Sequence, residues 1–249
     1  MREFGRAARM WVARTYLGYD PKQMALALNV RAGTYQRWES NKDPIPTGIW
    51  DELNTLYAEF DQQVAGIVAR ALEDPDADVV PIPVARHETR DHPVPKHHHR
   101  VVGEAARRDP RIEPVMTLGR SARLLVSRVY LGLSNEELLS ILDITDDEQK
   151  RWEAGEPIPA DVLDELDNLY SEFDKDTAAI LAQAEAQPDA EHVEVRVTRG
   201  RTDDNPHPGW RLRTVSEAVR REPRIMPVFP ESADYRVPHA VVERGERRR

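Results

Sequence analysis

The chain has 249 residues, enough for two domains with a core in each. It has no cysteine, which excludes a disulfide framework and thiolate chemistry and fits a reducing cytosol. A net charge of −9 argues against a diffuse polycation that coats nucleic acid, though a local reading surface remains open. No stretch approaches the ~18 apolar residues of a membrane span. The first ten residues, MREFGRAARM, are too polar for a signal peptide, so a cytoplasmic protein is expected.

In chain order, a first helix is expected from Phe4 to Leu17, with Ala8, Trp11, Val12 and Thr15 facing inward. Between Leu17 and Pro46 two short helical patterns follow, with Met24, Ala25, Leu28, Val30, Tyr35 and Trp38 as the apolar positions. Helical spacing broken once by a turn reads as a helix-turn-helix. Asp20 can cap the first of these helices and Pro21 suits its first position. A long helix is expected from Thr47 to Glu73, ended by Asp74-Pro75-Asp76. A strand over Val79 to Arg86, a polar proline-rich loop, a short helix over Val101 to Arg108 and a short strand over Arg111 to Met116 complete the first half.

The pattern then returns. Arg37-Trp38-Glu39 reappears as Arg151-Trp152-Glu153, 114 positions later. Asp51-Glu52-Leu53 reappears as Asp164-Glu165-Leu166, and Arg111-Ile112 as Arg224-Ile225, both 113 positions later. One residue is therefore lost in the loop between Ser40 and Asp43. Ser134 caps the returning first helix, and Thr145 with Glu148 forms a capping box on the second. The second long helix is expected over Ala160 to Ala186, with Val162, Leu166, Leu169, Phe173, Ile180 and Leu181 inward. A strand over His192 to Arg199, a helix over Thr214 to Arg221 and a strand over Arg224 to Phe229 follow. Two copies are too few for a solenoid. The expected organisation is two units, 1–115 (head 1–46, long helix 47–73, small α/β element 74–115) and 116–230 (116–159, 160–186, 187–230), with a basic tail over 231–249. The fold class is mainly α with small α+β elements.

The helix-turn-helix residues resemble the Cro/C1-type repressors of bacteria and phages. The resemblance rests on Arg37-Trp38-Glu39 and Arg151-Trp152-Glu153, with Arg14 and Arg128 three residues before a Leu-Gly pair. It implies that Arg14 pairs with Glu39, and Arg128 with Glu153, to lock helix 1 to helix 3, while Trp38 and Trp152 are core residues. Gly209-Trp210-Arg211-Leu212 with Val215 and Ala218 resembles the C-terminal part of YdiL-like and anti-CRISPR-associated repressors. There a small strand–helix element dimerises two subunits. In the first unit Lys96-His97-His98-His99 replaces Gly-Trp-Arg-Leu. The resemblance implies a tandemly duplicated unit forming a pseudo-two-fold intramolecular dimer, with Trp210 as a structural residue of that element.

On the first recognition helix, the resemblance places base contacts on Arg31, Ala32, Gly33, Gln36 and Arg37, with Thr34 in the same run. Arginine can fork onto guanine and glutamine onto adenine, each worth ~1–3 kcal/mol of discrimination. Lys22, Arg31, Tyr35 and Lys42 are candidate phosphate contacts. The second head differs in charge. Residues 1–60 carry 8 basic and 7 acidic side chains, net +1, whereas residues 115–173 carry 5 and 13, net −8. Asp146, Asp147 and Glu148 open its recognition helix, leaving Gln149, Lys150 and Arg151 as weaker groove contacts. Acids also favour a helix N-terminus for folding reasons alone.

His97-His98-His99 sits in an expected solvated loop, where neighbouring side chains diverge and no second ligand cluster is near, so no metal is expected. No phosphate loop, HExxH or nucleophile elbow occurs, and no catalytic constellation is expected. The reading is a sequence-specific, double-stranded-DNA-binding transcriptional repressor of phage or mobile-element type, acting by operator occupancy without a cofactor. The rival is a protein-interaction module, antitoxin-like or polymerase-binding, that uses the acidic second head.

Overall fold

The computed structural model describes residues 2–3, 6–116 and 120–229. The tail expected over 231–249 lies outside them, as does the expected helix start at Phe4. The described chain is mainly helical, with small sheets. No described helix is long and apolar enough to cross a membrane.

The first half runs β1 (Arg2–Glu3), α1 (Ala7–Leu17), α2 (Pro21–Ala27), α3 (Ala32–Glu39), β2 (Ile45–Pro46), α4 (Gly48–Glu73), β3 (Val80–Pro83), α5 (Pro95–Arg108) and β4 (Ile112–Met116). The second runs β5 (Arg120–Ser121), α6 (Arg123–Leu131), α7 (Asn135–Ile141), α8 (Asp146–Ala154), α9 (Ala160–Glu185), β6 (Val193–Arg196), α10 (Pro208–Arg221) and β7 (Ile225–Val228). Strands β3 and β4 pair in parallel, Val80 opposite Ile112, and β6 and β7 likewise, Val193 opposite Ile225. Parallel neighbours need a crossover, and α5 and α10 supply it. Strand β5 adds antiparallel to β4, and β1 pairs antiparallel with β2.

Helices α5 and α10 start earlier than the sequence reading placed them. Prolines occupy their first positions, where the missing N–H removes no intrahelical bond. This corrects the loop assignment of His97 to His99, which lie in α5. His97 Nδ1 bonds the Leu17 carbonyl at 2.6 Å and His99 Nε2 that of Ala85 at 2.9 Å, and both rings are buried. One nitrogen of each ring thus has a backbone partner, while His97 Nε2 is buried without one. His97 meets Phe60 edge-on at 5.7 Å, as Trp210 meets Phe173 at 5.5 Å. The substituted residue thus fills the same place on its long helix. Trp210 also donates Nε1–H to Asp176 at 2.8 Å.

The long helices bury most of the expected stripe, but Leu181 is only partly buried and Ala184 is buried instead. In α9 it comprises Val162, Leu166, Leu169, Phe173, Ile180 and Ala184, with Thr177 added because its hydroxyl donates back to the Phe173 carbonyl at 2.9 Å. Each long helix ends under an arginine. Arg111 donates to the carbonyls of Ala71, Asp74 and Pro75, and Arg224 to those of Ala184, Gln187 and Pro188. A cation there satisfies orphan carbonyls at the negative end of the helix dipole.

Helix α1 is buried on nearly every side, including Met10, Ala13, Tyr16 and Leu17, because it lies against both α3 and α10. Its Ala7, Ala8 and Val12 share a core with Val193, Val195, Val215 and Ile225. Conversely, Ala122 and Val126 join the core that holds Phe60, Ile82 and Val102. Contacts across the middle of the chain come in matched pairs. Arg107 reaches Asp174 at 2.5 Å, and Arg220 reaches Asp61 at 2.5 Å. Arg86 pairs with Glu153, while Arg199 donates to the Glu39 carbonyl at 2.8 Å. Gly18 and Gly132 end α1 and α6 with φ of 75° and 80°. A Cβ at Gly132 would lie 2.3 Å from the Gly209 carbonyl oxygen, and one at Gly18 2.7 Å from that of Lys96. Only glycine accommodates both the left-handed backbone and that approach.

Burial lowers the His99 pKa from 6.5 to about 4, against a smaller raising effect of the Ala85 bond. Between those values the unfolded chain binds a proton that the folded chain does not, so stability falls as pH falls from about 6.5 towards 4. The share from His99 at pH 5 is about 2 kcal/mol. Urea denaturation at pH 7.5 and pH 5 should therefore show a smaller acid loss in His99→Gln than in the parent chain. An equal loss in both would contradict the assignment.

Candidate nucleic-acid interface

Each half carries a helix-turn-helix whose entry is capped by its own sequence. Asp20 Oδ1 accepts from the N–H groups of Lys22 and Gln23 at 2.7 and 2.8 Å, and Gln23 Oε1 accepts from Asp20 N–H at 2.9 Å. Ser134 and Glu137 form the same reciprocal box on α7. The turns use Asn29 (φ 52°) and Asp143 (φ 50°), residues that tolerate the left-handed region.

Helix α3 is then locked onto α1. Arg14 Nε donates to Glu39 Oε1 at 2.7 Å, and the Tyr35 hydroxyl donates to the same oxygen at 2.7 Å. Arg14 also reaches the Tyr19 carbonyl at 3.2 Å. The ion pair is mostly enclosed, with 15% and 13% of its side chains exposed, so solvent screens it weakly. Trp38 is buried beside it, as expected of a core residue.

This lock corrects one site assignment. Tyr35 was expected on the phosphate side, but it is fully buried and its hydroxyl is spent on Glu39. Burial first, and Glu39 second, raise its pKa. The equivalent residue of the second head, Gln149, is corrected for the same reason. It is buried, donates to Asn135 Oδ1 and Glu153 Oε1, and accepts from Asn135 Nδ2 at 3.0 Å. The inward position of the recognition helix is thus polar in both halves, which a reading of exposed polar contacts mistakes for a surface residue.

Arg31, Ala32, Gly33, Gln36 and Arg37 are exposed, as are Lys22 and Lys42, while Thr34 is partly covered. Nothing lies within 4 Å of a Cβ built on Gly33. The start of α3 has no side-chain cap and no acidic residue in its first turn. Its first N–H groups are therefore open to an anion at the positive end of the helix dipole. Arg37 is less available than the sequence implied. Its Nε and Nη2 grip Asp43 at 2.5 and 2.8 Å, a partner six residues away that spacing alone does not reveal. That pair raises the Arg37 pKa.

The second head presents a different face. The start of α8 is closed by Thr145, whose Oγ1 accepts from Glu148 N–H at 3.2 Å while Glu148 accepts from Thr145 N–H at 2.8 Å. Lys150 is held by Asp146 at 2.5 Å and by Asp147 at 3.6 Å. Arg151 is exposed, with Glu156 at 3.8 Å. The expected lock of Arg128 onto Glu153 does not form. Glu153 instead takes Arg86 and Gln149, and Arg128 Nε is buried without a partner. Trp152 is buried. The second recognition helix is consequently tied to the segment after β3 rather than to its own first helix. Arg86 and Arg199 recur at the 113-residue offset, and that recurrence was the available signal for this tie.

No family model, no curated protein and no solved structure matches the chain.

Tyr35→Phe removes one hydrogen bond to the part-buried Glu39 while keeping the ring. The loss should be about 1 kcal/mol in denaturant titration. An unchanged midpoint would show that the hydroxyl does not hold α3.

Proposed function

We propose that the chain is a sequence-specific, double-stranded-DNA-binding transcriptional repressor of phage or mobile-element type that acts in the cytoplasm by occupying an operator. The observation that carries this reading is the face of α3. Arg31 and Gln36 stand exposed beside small Ala32 and Gly33, at an uncapped helix start, on a helix fixed by the Arg14–Glu39–Tyr35 contacts. A rigid helix with forked donors and a positive end suits entry into a major groove. The sequence resemblance to Cro/C1-type and YdiL-like repressors supports the same reading.

In this proposal residues 1–115 and 116–230 are duplicated units arranged as an intramolecular dimer about an approximate two-fold. Support comes from the matched contacts, Arg107 to Asp174 with Arg220 to Asp61, since an isologous interface repeats each contact with the partners exchanged. The two heads are not equal DNA readers. Lys150 is neutralised by Asp146 and Asp147, and those acids would stand within a Debye length of ~10 Å from the phosphates. The same acidic face favours a second reading, in which this head binds a protein partner.

The test is a selection from random duplex DNA followed by binding titrations at fixed salt. Alanine at Arg31 or Gln36 should cost ~1–3 kcal/mol on the selected site and relax preference at one base pair. Alanine at Lys22 or Lys42 should weaken binding to all sequences and reduce the salt slope by about 1. Equal losses on selected and random DNA in the Arg31 variant would overturn direct readout. Neutralising Asp146, Asp147 and Glu148 to Asn, Asn and Gln should leave affinity unchanged or raise it, and altering Lys150 and Arg151 should matter less than altering Gln36 and Arg37. A loss on neutralising the trio would instead place DNA on the second head.

A further inference from the structure

Arg37 and Arg151 occupy the same place on the two recognition helices, yet their surroundings differ. Arg37 Nε donates to Asp43 Oδ2 at 2.5 Å and Nη2 to Oδ1 at 2.8 Å, a fork of two parallel bonds. Arg151 Nε lies 3.8 Å from Glu156 Oε2, beyond hydrogen-bond reach. The loop after each helix explains the difference. In the first head Asn41 turns left-handed at φ 57°, and the loop folds back so that Lys42 N–H and Asp43 N–H donate to the Arg37 carbonyl at 2.8 and 3.4 Å. Pro44 narrows the backbone choices of Asp43, and Ile45 is buried in the core. The loop of the second head is one residue shorter and places a glutamate, longer by one methylene, where Asp43 would be.

The fork takes one edge of the guanidinium and leaves the other. It uses Nε–H and one Nη2–H, so both Nη1–H and the second Nη2–H remain. Gly33, Gln36 and Arg37 share one side of α3, at spacings of three and four residues, and all three are exposed. The ion pair is open to solvent, with 56% and 37% of its side chains exposed, so it contributes little to stability. Its effect is on direction. A long, rotamer-rich side chain is held in one pose beside Gln36, on the side of the helix that would meet a groove.

We propose that Asp43 is a positioning residue for base recognition, holding Arg37 so that its open edge reads one guanine. The proposal rests on the DNA reading of the first head. The Nη1 and Nη2 donors left by the fork match the O6 and N7 acceptors of guanine, whereas adenine offers a donor in place of one acceptor. A loose guanidinium can swing to a phosphate and bind any sequence. One tied to Asp43 loses that escape, so a wrong base leaves its donors unpaired. Its rotamers are also fixed before binding, which reduces the entropy lost on entering the groove. The carboxylate itself repels phosphates, so the device trades general affinity for discrimination. Arg151 lacks the fork, which separates the two heads at this position as well as in net charge.

The test uses the full chain and a duplex selected from random DNA, with each base pair of the site varied in turn and binding titrated at fixed salt. Arg37→Ala should reduce the preference at one G·C pair by about tenfold, which marks the pair that Arg37 reads. Asp43→Asn keeps the size of the side chain but removes its charge and one acceptor. It should reduce the preference at that same pair at least about threefold, leave the other pairs unchanged, and bind random duplex as tightly as the parent chain or more so. In the Arg37→Ala background Asp43→Asn should change no preference further. Its Tm should fall by no more than about 4 °C, and a larger fall would assign the pair to folding instead. Undiminished preference in Asp43→Asn, a further loss in the Arg37→Ala background, equal weakening on every sequence, or no single pair marked by Arg37→Ala would overturn the assignment and leave the DNA reading standing. Failure of random DNA to yield any selected site would overturn the DNA reading and the assignment with it.

Discussion

In the last turn of α6 the Tyr130 backbone carbonyl is shared by two buried guanidinium groups. Arg100 Nη1 donates to it at 2.7 Å and Arg213 Nε at 2.8 Å, with 2% and 1% of these residues exposed. A carbonyl at a helix C-terminus has no intrahelical donor and sits at the negative end of the dipole, so it is a natural acceptor for cations. Burying two of them still costs solvation, and burial pulls the Arg213 pKa down. The surroundings offset this. The Arg213 guanidinium lies 5.1, 5.0 and 5.8 Å from the ring centres of Tyr16, Tyr130 and Phe173, and Glu217 is 4.0 Å away. Arg100 comes from α5 and Arg213 from α10, so one acceptor ties both crossover helices to α6.

From that junction the positions of the heads follow. The glycines after α1 and α6 let each first helix close onto the start of a crossover helix. Arg107 and Arg220 then clamp the long helices from the other half, and Arg86 and Arg199 reach the ends of the recognition helices. Helix α3 is held at its C-terminal end, where Arg14, Tyr35 and Arg199 all meet Glu39, while its start stays open. The same rigid frame holds the acidic start of α8 in place, so the charge difference between the heads is a difference between fixed surfaces.

Much of the local structure was legible in the residues. The N-caps at Asp20 and Ser134, the capping box at Thr145, the apolar stripe of Val162, Leu166, Leu169 and Phe173, and the alternation of Val193 and Val195 lie where short-range rules place them. These features depend on spacings of two to four residues, which sequence displays directly. The pairing of Arg14 with Glu39 followed from the motif, and the contact forms.

What the sequence determined by itself was thus the kind and order of the helices and of strands β3, β4, β6 and β7, though not the short β1, β2 and β5, together with the repeat offset and the imbalance of charge between residues 1–60 and 115–173. What only the tertiary structure decided was which polar groups face inward. Tyr35 and Gln149 turn to Glu39 and Glu153, Arg128 loses its expected partner to Arg86, and His97 and His99 enter the core because the carbonyls of Leu17 and Ala85 await them. Each depends on a donor meeting an acceptor far away in the chain or across a helix turn. A polar side chain carries no mark of whether its hydrogen bond will be made to water or to protein, and folding alone brings the partner within reach.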